Sequence, residues 1–444
     1  MKKFILFILL AVTSQVIQAY DFEDFGMYYN IISSSQKTCG LAHVENGIVS
    51  LNNGKISIPE TVNFEGNDYT VTQIQSMAFH NLTTLTSIEM PSTIESIGFS
   101  AFSGCTSLTD FNIPSHIKSI GDYAFQSCLR LENIVIDNAE TSLSLGLKVF
   151  KDTPVKHAYI GRSFTAKSDK YGYAESVIFA NYTDITSIEF GENVTSIPEY
   201  AFYGCQFTEL ILPDNLEVIP SDAFESCWSL ETLVLPKHLK RILSAAFRGC
   251  GKLNHIVFPS TLEYIGWDGF MDFNGMTLDL SGTSVSFIGS GAFRSCANLT
   301  EIILPESLVE IEPTAFQSAQ IVSIKFPPSV KTIGSIAFNL CDKLTSVYCE
   351  SITPPTSVED TFDTNTYENA TLYVPIGCSN AYSRSGAWKY FKSIKETDYS
   401  GIDSINIDDD KPLRYIDIFG NPINTPGADK LIKQTNETNL FIVI

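Results

Sequence analysis

The amino-acid sequence predicts a β-rich solenoid, in which short strands from successive repeats stack into a parallel sheet. Three patterns in a single register support this prediction. Within two blocks an Ala-Phe pair recurs at steps of 22 or 23 residues, a Cys often follows the Phe by three residues, and an alternating apolar pair comes next, usually closed by Pro. The Ala-Phe pairs begin at residues 78, 101, 124, 201, 223, 246, 292, 315 and 337, and a Gly-Phe pair begins at 269.

The alternating segment of each repeat is predicted to be a short strand with one buried face. In Phe111-Asn112-Ile113 two apolar side chains point the same way, and Pro114 ends the strand where no further backbone donor is needed. The Phe of each Ala-Phe pair is expected to enter the interior, where the rings of successive repeats stack along the axis. Because one repeat buries little apolar surface alone, the core has to form between neighbours.

These columns resemble the BspA-like branch of leucine-rich repeat proteins, known from surface proteins of bacteria in the Bacteroides group. The resemblance covers about residues 70–350. It implies a curved, β-rich leucine-rich repeat solenoid with a parallel sheet on the concave face and short strands or 3-10 turns on the convex face. The pattern is broken at 137–186, where the Ala-Phe ladder skips, so a change of curvature is expected there.

The flanks of the array carry other signals. Residues 1–19 are predicted to be a signal peptide, because a basic start precedes an apolar run that is too short to span a bilayer. The chain is therefore expected to be exported, to the cell surface or the medium, with no transmembrane span. The remaining segments are predicted as a β-rich N-terminal cap at 20–70, the repeat array at 71–350, a degenerate last repeat with a C-terminal cap at 351–397, and a small β-rich tail at 398–444. The tail is either an inert β-domain or an outer-membrane sorting signal.

The charge balance excludes some partners. Acidic residues outnumber Lys and Arg by 50 to 29, which gives a formal net charge of −21. Nucleic acids and anionic membrane surfaces attract proteins through clustered Lys and Arg, so neither is expected as a partner.

The sequence offers no constellation that points to catalysis, a metal or a cofactor. The six histidines are scattered, and neither an HExxH motif, a GxSxG elbow nor a Gly-rich phosphate loop occurs. The seven cysteines of the repeat column (105, 128, 205, 227, 250, 296 and 341) are expected to pack as small buried hydrophobes. A disulfide between Cys349 and Cys378 is left open, because spacing alone does not decide it.

The outward-facing residues of the strands give the candidate site. On the concave sheet one column holds consecutive apolar residues, and we call these the apolar stripe: Ile211, Val234 and Val257, with Ile303 two turns further. The neighbouring column flanks it with Glu209, His255 and Glu301, and Tyr348 lies further along. Exposed contiguous apolar surface on a rigid sheet is typical of a partner site. The alternative is that β-branched residues simply suit strands.

We therefore expect an interaction protein that binds a protein partner through the concave sheet. The resemblance implies adhesion to host matrix proteins or to other bacteria. The alternative function is a carbohydrate-binding accessory protein of the bacterial envelope. Sugar binding would need aromatic platforms, yet this column offers only Tyr348, and the three Trp residues (228, 267 and 388) are not clustered on it.

Overall fold

The structure, a computed structural model, describes residues 20–24, 26–51, 53–167, 179 and 185–399, together with four strands between 414 and 443. The predicted signal peptide at 1–19 lies outside the described residues. Two compact units are separated near residue 396, the larger of which contains the repeats.

The larger unit is a parallel β-solenoid, which confirms the predicted fold class. Most turns contribute one strand to each of two faces, and most of these strands pair in parallel register with the equivalent strand of a neighbouring turn. The long-strand face is the one predicted to be concave. Its strands are Lys55–Ser57, Ser87–Glu89, Asp110–Ile113, Asn133–Ile136, His157–Arg162, Ser187–Asn193, Glu209–Ile211, Thr232–Val234, Thr277–Asp279, Glu301–Ile303, Ser323–Phe326, Ser346–Cys349, Thr371–Pro375 and Ser393–Thr397.

The opposite ladder, the short-strand face, is built mostly from two-residue strands. They are Ser96–Ile97, Ser119–Ile120, Leu143–Leu145, Phe164–Ala166, Val218–Ile219, Arg241–Ile242, Tyr264–Ile265, Phe287–Ile288, Glu310–Ile311 and Thr332–Ile333. In each of them an Ile, Leu or Phe is buried, so this ladder closes the second side of the core.

The chain before the repeats forms a small β-structure that extends the short-strand face. Its strands are Phe22–Asp24, Met27–Ser33, Thr38–Val44, Thr61–Phe64 and Asn67–Ile74, with a helix at Asn46–Leu51. Asn67–Ile74 pairs in parallel with Ser96–Ile97, so this sheet covers the first edge of that ladder.

At the C-terminal end of the larger unit, helices Thr364–Asn369 and Ser379–Tyr382 and the 3-10 turn Trp388–Tyr390 pack against the last strands. The ring of Trp388 is fully buried there, and its indole N–H donates to the carbonyl of Pro355. The smaller unit contains a four-stranded sheet made of Arg414–Asp417, Pro422–Ile423, Ile432–Thr435 and Leu440–Val443.

A continuous stack of thirteen Phe rings forms the centre of the core. Successive rings lie 4.9–5.9 Å apart, in nearly parallel planes. The stack continues across 137–186, where the Ala-Phe pairs are missing, through Phe150 and Phe179. Phe150 follows Val149 rather than Ala, and a longer chain segment precedes Phe179. Neither ring therefore belongs to an Ala-Phe pair. The stack comprises Phe79, Phe102, Phe125, Phe150, Phe179, Phe202, Phe224, Phe247, Phe270, Phe293, Phe316, Phe338 and Phe362.

The seven cysteines of the repeat column are free and buried, as predicted. They also make a bond that the sequence did not reveal: each thiol donates to the carbonyl oxygen of the Phe one repeat earlier, at 3.1–3.7 Å. Burial raises the pKa of Cys128 and Cys341 to about 12, so these thiols stay protonated donors. Cys349 and Cys378 are free as well, and the Cys349 thiol contacts the Tyr382 hydroxyl at 3.1 Å.

Thr153 occupies the cysteine position of its repeat and makes the equivalent hydrogen bond. Its hydroxyl donates to the Phe125 carbonyl at 2.6 Å and accepts from the Cys128 amide at 3.2 Å. Replacing Thr153 with Val keeps the shape but leaves two buried backbone groups unpaired, so we expect a loss of about 2 kcal/mol in the free energy of unfolding. Thr153→Cys restores a hydrogen-bond donor, so its loss in the free energy of unfolding should be clearly smaller than that of Thr153→Val. Urea denaturation of both variants measures the difference, and equal losses would show that the hydrogen bond contributes nothing.

A cluster of charged side chains lies along the turns that carry the Ala-Phe pairs. Arg248 donates to the buried carboxylate of Glu225 through Nε at 2.9 Å and through Nη2. Its Nη1 lies 3.7 Å from the buried Asp268, and Nη2 of Arg294 lies 3.8 Å from the same carboxylate oxygen. Asp222 lies beside Glu225 with a left-handed backbone (φ 57°). The cluster therefore links four successive repeats by charge.

Burial, together with the neighbouring Glu225 carboxylate, raises the pKa of Asp222 to about 7. Between about pH 4 and pH 7 the unfolded chain loses this proton while the folded protein retains it, so stability falls as the pH rises through that window. We expect Asp222→Asn to remove this fall, since Asn tolerates a left-handed backbone and cannot ionise. Thermal midpoints at pH 4 and pH 8 test the prediction.

Asp214→Asn is the control for this pH experiment. Hydrogen bonds from Lys237 lower the pKa of Asp214, so this exposed carboxylate should give a small effect of the opposite sign. If wild type and Asp222→Asn show the same pH dependence, Asp222 does not carry the titration.

Candidate interaction face

Strand alternation places the apolar stripe on the surface, as predicted. In Glu209–Ile211 and Thr232–Val234 the central Leu is buried and both flanking residues point outward. The exposed fractions are 55% for Ile211, 46% for Val234, 71% for Val257 and 36% for Ile303. These side chains are therefore available to a partner.

The register determines which stripe residues are neighbours. Ile211 pairs directly with Val234, and Val257 belongs to the next repeat along the face. Asp279 follows and pairs with Ile303, so a carboxylate separates Ile303 from the other three. The stripe is thus a cluster of three consecutive residues with one outlying member.

The flanking residues Glu209, His255 and Glu301 are all exposed on this face. Glu209 pairs in register with Thr232 and Glu301 with Thr277, and the hydroxyl of Thr277 donates to the Glu301 carboxylate at 3.2 Å. These two carboxylates therefore lie on either side of the segment that contains His255.

One prediction about this face is wrong: His255 and Val257 do not lie on a strand. Residues 254–258 form no strand, and the long-strand ladder is interrupted between Thr232–Val234 and Thr277–Asp279. In the next repeat Phe273 fills the position that cysteine has in most repeats. Its ring and the Asn254 carbonyl both lie where a Cβ at residue 275 would be, and only Gly275 fits.

The interruption opens a groove of about 480 Å³ beside the stripe. The groove lies between the strand at Thr232–Val234 and the segment at 254–259, and side chains of Val234, Val257 and His255 line it. The buried Leu233 and Leu235 form part of the same lining. The groove gives the stripe a concave centre that a side chain of a partner can enter.

The two outward columns of this face are strongly acidic. Between Ser87 and Tyr373 they contain a single lysine, Lys325, whose ammonium lies 2.8 Å from the Glu350 carboxylate. The same columns hold six carboxylates, those of Glu89, Asp110, Glu189, Glu209, Asp279 and Glu301. A negative potential therefore surrounds the apolar stripe.

Tyr348 lies apart from the stripe, four strand positions beyond Val257. It is half-buried, and its ring stacks on Tyr373 with centroids 4.6 Å apart and planes 10° apart. Tyr373 was not predicted as part of this face, because the repeat pattern is degenerate in this part of the chain. Leu372-Tyr373-Val374 nevertheless repeats the alternation of Val347-Tyr348-Cys349, and the two segments pair in register.

Over the described residues, no group of three His, Cys, Asp or Glu side chains is arranged to hold a metal ion. A search for membrane-spanning helices across the same part of the chain finds none of sufficient length and hydropathy. The long-strand face itself offers exposed apolar side chains, carboxylates and a groove.

Comparisons with known proteins agree with this architecture. A family model described as BspA type leucine rich repeat region matches residues 55–174, 173–280 and 270–372. A search of curated proteins finds no significant match.

Among solved structures, a leucine-rich repeat protein from Bacteroides ovatus is similar at 23% identity and a TM-score of 0.50, over 85% of this chain and 100% of that one. A leucine rich cell surface protein from Faecalibacterium prausnitzii shares 20% identity (TM-score 0.38) over 87% of this chain and 97% of that chain. The pneumococcal vaccine antigen PcpA shares 15% sequence identity (TM-score 0.38) over 85% of this chain and 98% of that chain. The first of these likenesses supports the solenoid fold.

Proposed function

Because this chain belongs to the BspA-type leucine-rich repeat family, whose members are typically surface-exposed proteins with interaction roles, we propose that it is an exported, adhesin-like protein that binds a protein partner. The proposed binding site is the apolar stripe on the long-strand face, with Glu209, His255 and Glu301 at its border. Such repeat folds are typically non-enzymatic, in keeping with a role in recognition.

The groove beside the stripe is the observation that carries the proposal. A β-branched residue on a strand can be exposed for its strand propensity alone, as Val135 is between Asn112 and Tyr159. Three consecutive exposed apolar residues next to an apolar groove have no such explanation. Binding hot spots are commonly apolar side chains that enter a pocket of this kind.

The solenoid also supports binding by keeping the face rigid. The buried Phe stack runs through the repeats of the stripe, and strand pairing also fixes Ile211 and Val234 before a partner arrives. Little conformational entropy is then lost on association, which favours affinity from a modest apolar area.

The test is binding of the purified protein to a panel of host matrix proteins and bacterial surface proteins. In the Val234→Asp/Val257→Asp variant two charges occupy the stripe, so we expect the affinity for a panel partner to fall at least 30-fold, about 2 kcal/mol. Surface plasmon resonance measures the loss, and circular dichroism shows whether the array remains folded.

The matched control is Val309→Asp/Val358→Asp, which replaces two valines with exposed fractions of 43% and 48% that lie off the long-strand face. It should bind like the wild type. Full affinity in the folded stripe variant would refute the proposed site.

A second candidate is carbohydrate binding at the Tyr348–Tyr373 pair, because two stacked rings on one face form a larger aromatic surface than the sequence indicated. A glycan array tests it. Sugar binding that is lost in Tyr348→Ala/Tyr373→Ala and kept in the stripe variant would favour this function over the first.

A further inference from the structure

We infer that the partner presents a cationic, extended segment that lies across the long-strand face and inserts one apolar side chain into the groove. This inference rests on the proposed function and adds the chemistry of the bound segment.

The charge around the stripe favours a cationic segment. Within the described residues, Glu189, Glu209 and Glu301 are the carboxylates around the stripe that have no Lys or Arg within ion-pair distance. The nearest cations are already engaged: Lys237 lies 2.6 Å from Asp214, and Lys252 lies 3.1 Å from Glu231. The free charge on this surface is therefore negative, and an approaching Lys or Arg gains attraction without displacing an existing pair.

The distance between the two carboxylates sets the length of the bound segment. Glu209 and Glu301 lie four strand positions apart, and neighbouring strands are about 4.8 Å apart, so roughly 19 Å separates the two carboxylates. An extended chain advances about 3.3 Å per residue, so about six residues cover that distance. The groove lies between the first and second strand positions beyond Glu209, so its centre is about 7 Å from Glu209, which corresponds to two residues.

The segment therefore needs basic residues at positions i and i+6 and a large apolar residue at i+2. Side chains alternate along an extended chain, so all three point toward the face. Apolar filling of the groove and two charge contacts then act together, whereas net charge alone would attract any cation to any part of this acidic protein.

The experiment uses three labelled peptides of seven residues, otherwise built from Ser, and measures binding to the full chain by fluorescence anisotropy. The first has Arg at positions one and seven and Trp at position three. The second replaces the Trp with Ser, and the third replaces both Arg with Glu. We expect the first peptide to bind at least tenfold more tightly than either of the others, with an affinity that falls as salt increases.

Two charge-reversal variants of the protein localise the effect. Glu209→Lys/Glu301→Lys should weaken binding of the first peptide at least tenfold. Glu263→Lys/Glu310→Lys makes the same change in net charge on the short-strand face and should leave the affinity within twofold.

Equal losses in both variants would overturn the inference, because long-range charge would then explain the binding. Equal affinity of the first peptide and its Trp-free version would also overturn it, and so would failure of all three peptides to bind. The proposed function fails separately, when the stripe variant keeps its affinity for a protein of the panel.

Discussion

Replacing Phe247 with Ala should lower the free energy of unfolding by about 3–5 kcal/mol. The ring is 1% exposed and stacks on Phe224 at 5.4 Å and on Phe270 at 5.2 Å. Each repeat of a solenoid contacts only its neighbours, so no distant packing compensates for the cavity. The substitution removes the contacts to both adjoining rings at once.

Urea denaturation followed by circular dichroism measures this loss. Phe99→Ala is the matched control, because that ring is 47% exposed and contacts Tyr123 edge-on on the surface. We expect the control to change stability by less than about 1 kcal/mol. A similar small effect at both positions would contradict the central role of the Phe stack.

Replacing Arg248 with Met should destabilise the fold by about 3 kcal/mol at pH 8, because the buried Glu225 carboxylate loses its partner. Asp268 loses one of two nearby cations in the same step. Burial already raises the pKa of Asp268, and removing Arg248 raises it further. The loss of stability should therefore shrink as the pH falls and Asp268 takes up a proton.

Chemical denaturation at pH 8 and pH 5 measures the loss of stability and its dependence on pH. Lys240→Met serves as control, since it removes only an exposed ion pair with Glu217 and should destabilise the fold far less than Arg248→Met. A deficit for Arg248→Met that does not depend on pH would show that the lost contact is packing rather than charge compensation.

The repeat columns made most of the solenoid predictable. Alternating apolar residues fix which side of a strand is buried, so the exposure of Ile211 and Val234 followed from the sequence alone. The Phe stack was predictable wherever Ala precedes Phe. At Phe150 and Phe179 the dipeptide is lost while the ring position is kept, because stacking constrains the ring and not its neighbour.

The groove was not predictable, although its residues were. Asn254 to Phe258 show the same alternation as any strand of the array, although they form no strand. Contacts between neighbouring repeats decide whether a segment joins the sheet. The pattern of apolar residues describes each repeat by itself and does not contain these contacts. The thiol bonds were missed for a related reason, since donor and acceptor are about 25 residues apart in the chain.

The central claim is that a protein partner covers the apolar stripe, and thiol protection tests it most directly. Nine of the ten native cysteines are buried, and only Cys378 is partly accessible, so Cys378→Ser provides a background of low reactivity. In that background Val257→Cys places one exposed thiol in the stripe, and Val309→Cys places one off the long-strand face. The rate of maleimide labelling is measured with and without a saturating partner from the panel.

We predict that the partner slows labelling of Val257→Cys at least tenfold and leaves Val309→Cys unchanged. An unchanged rate at Val257→Cys with the partner bound would contradict the account.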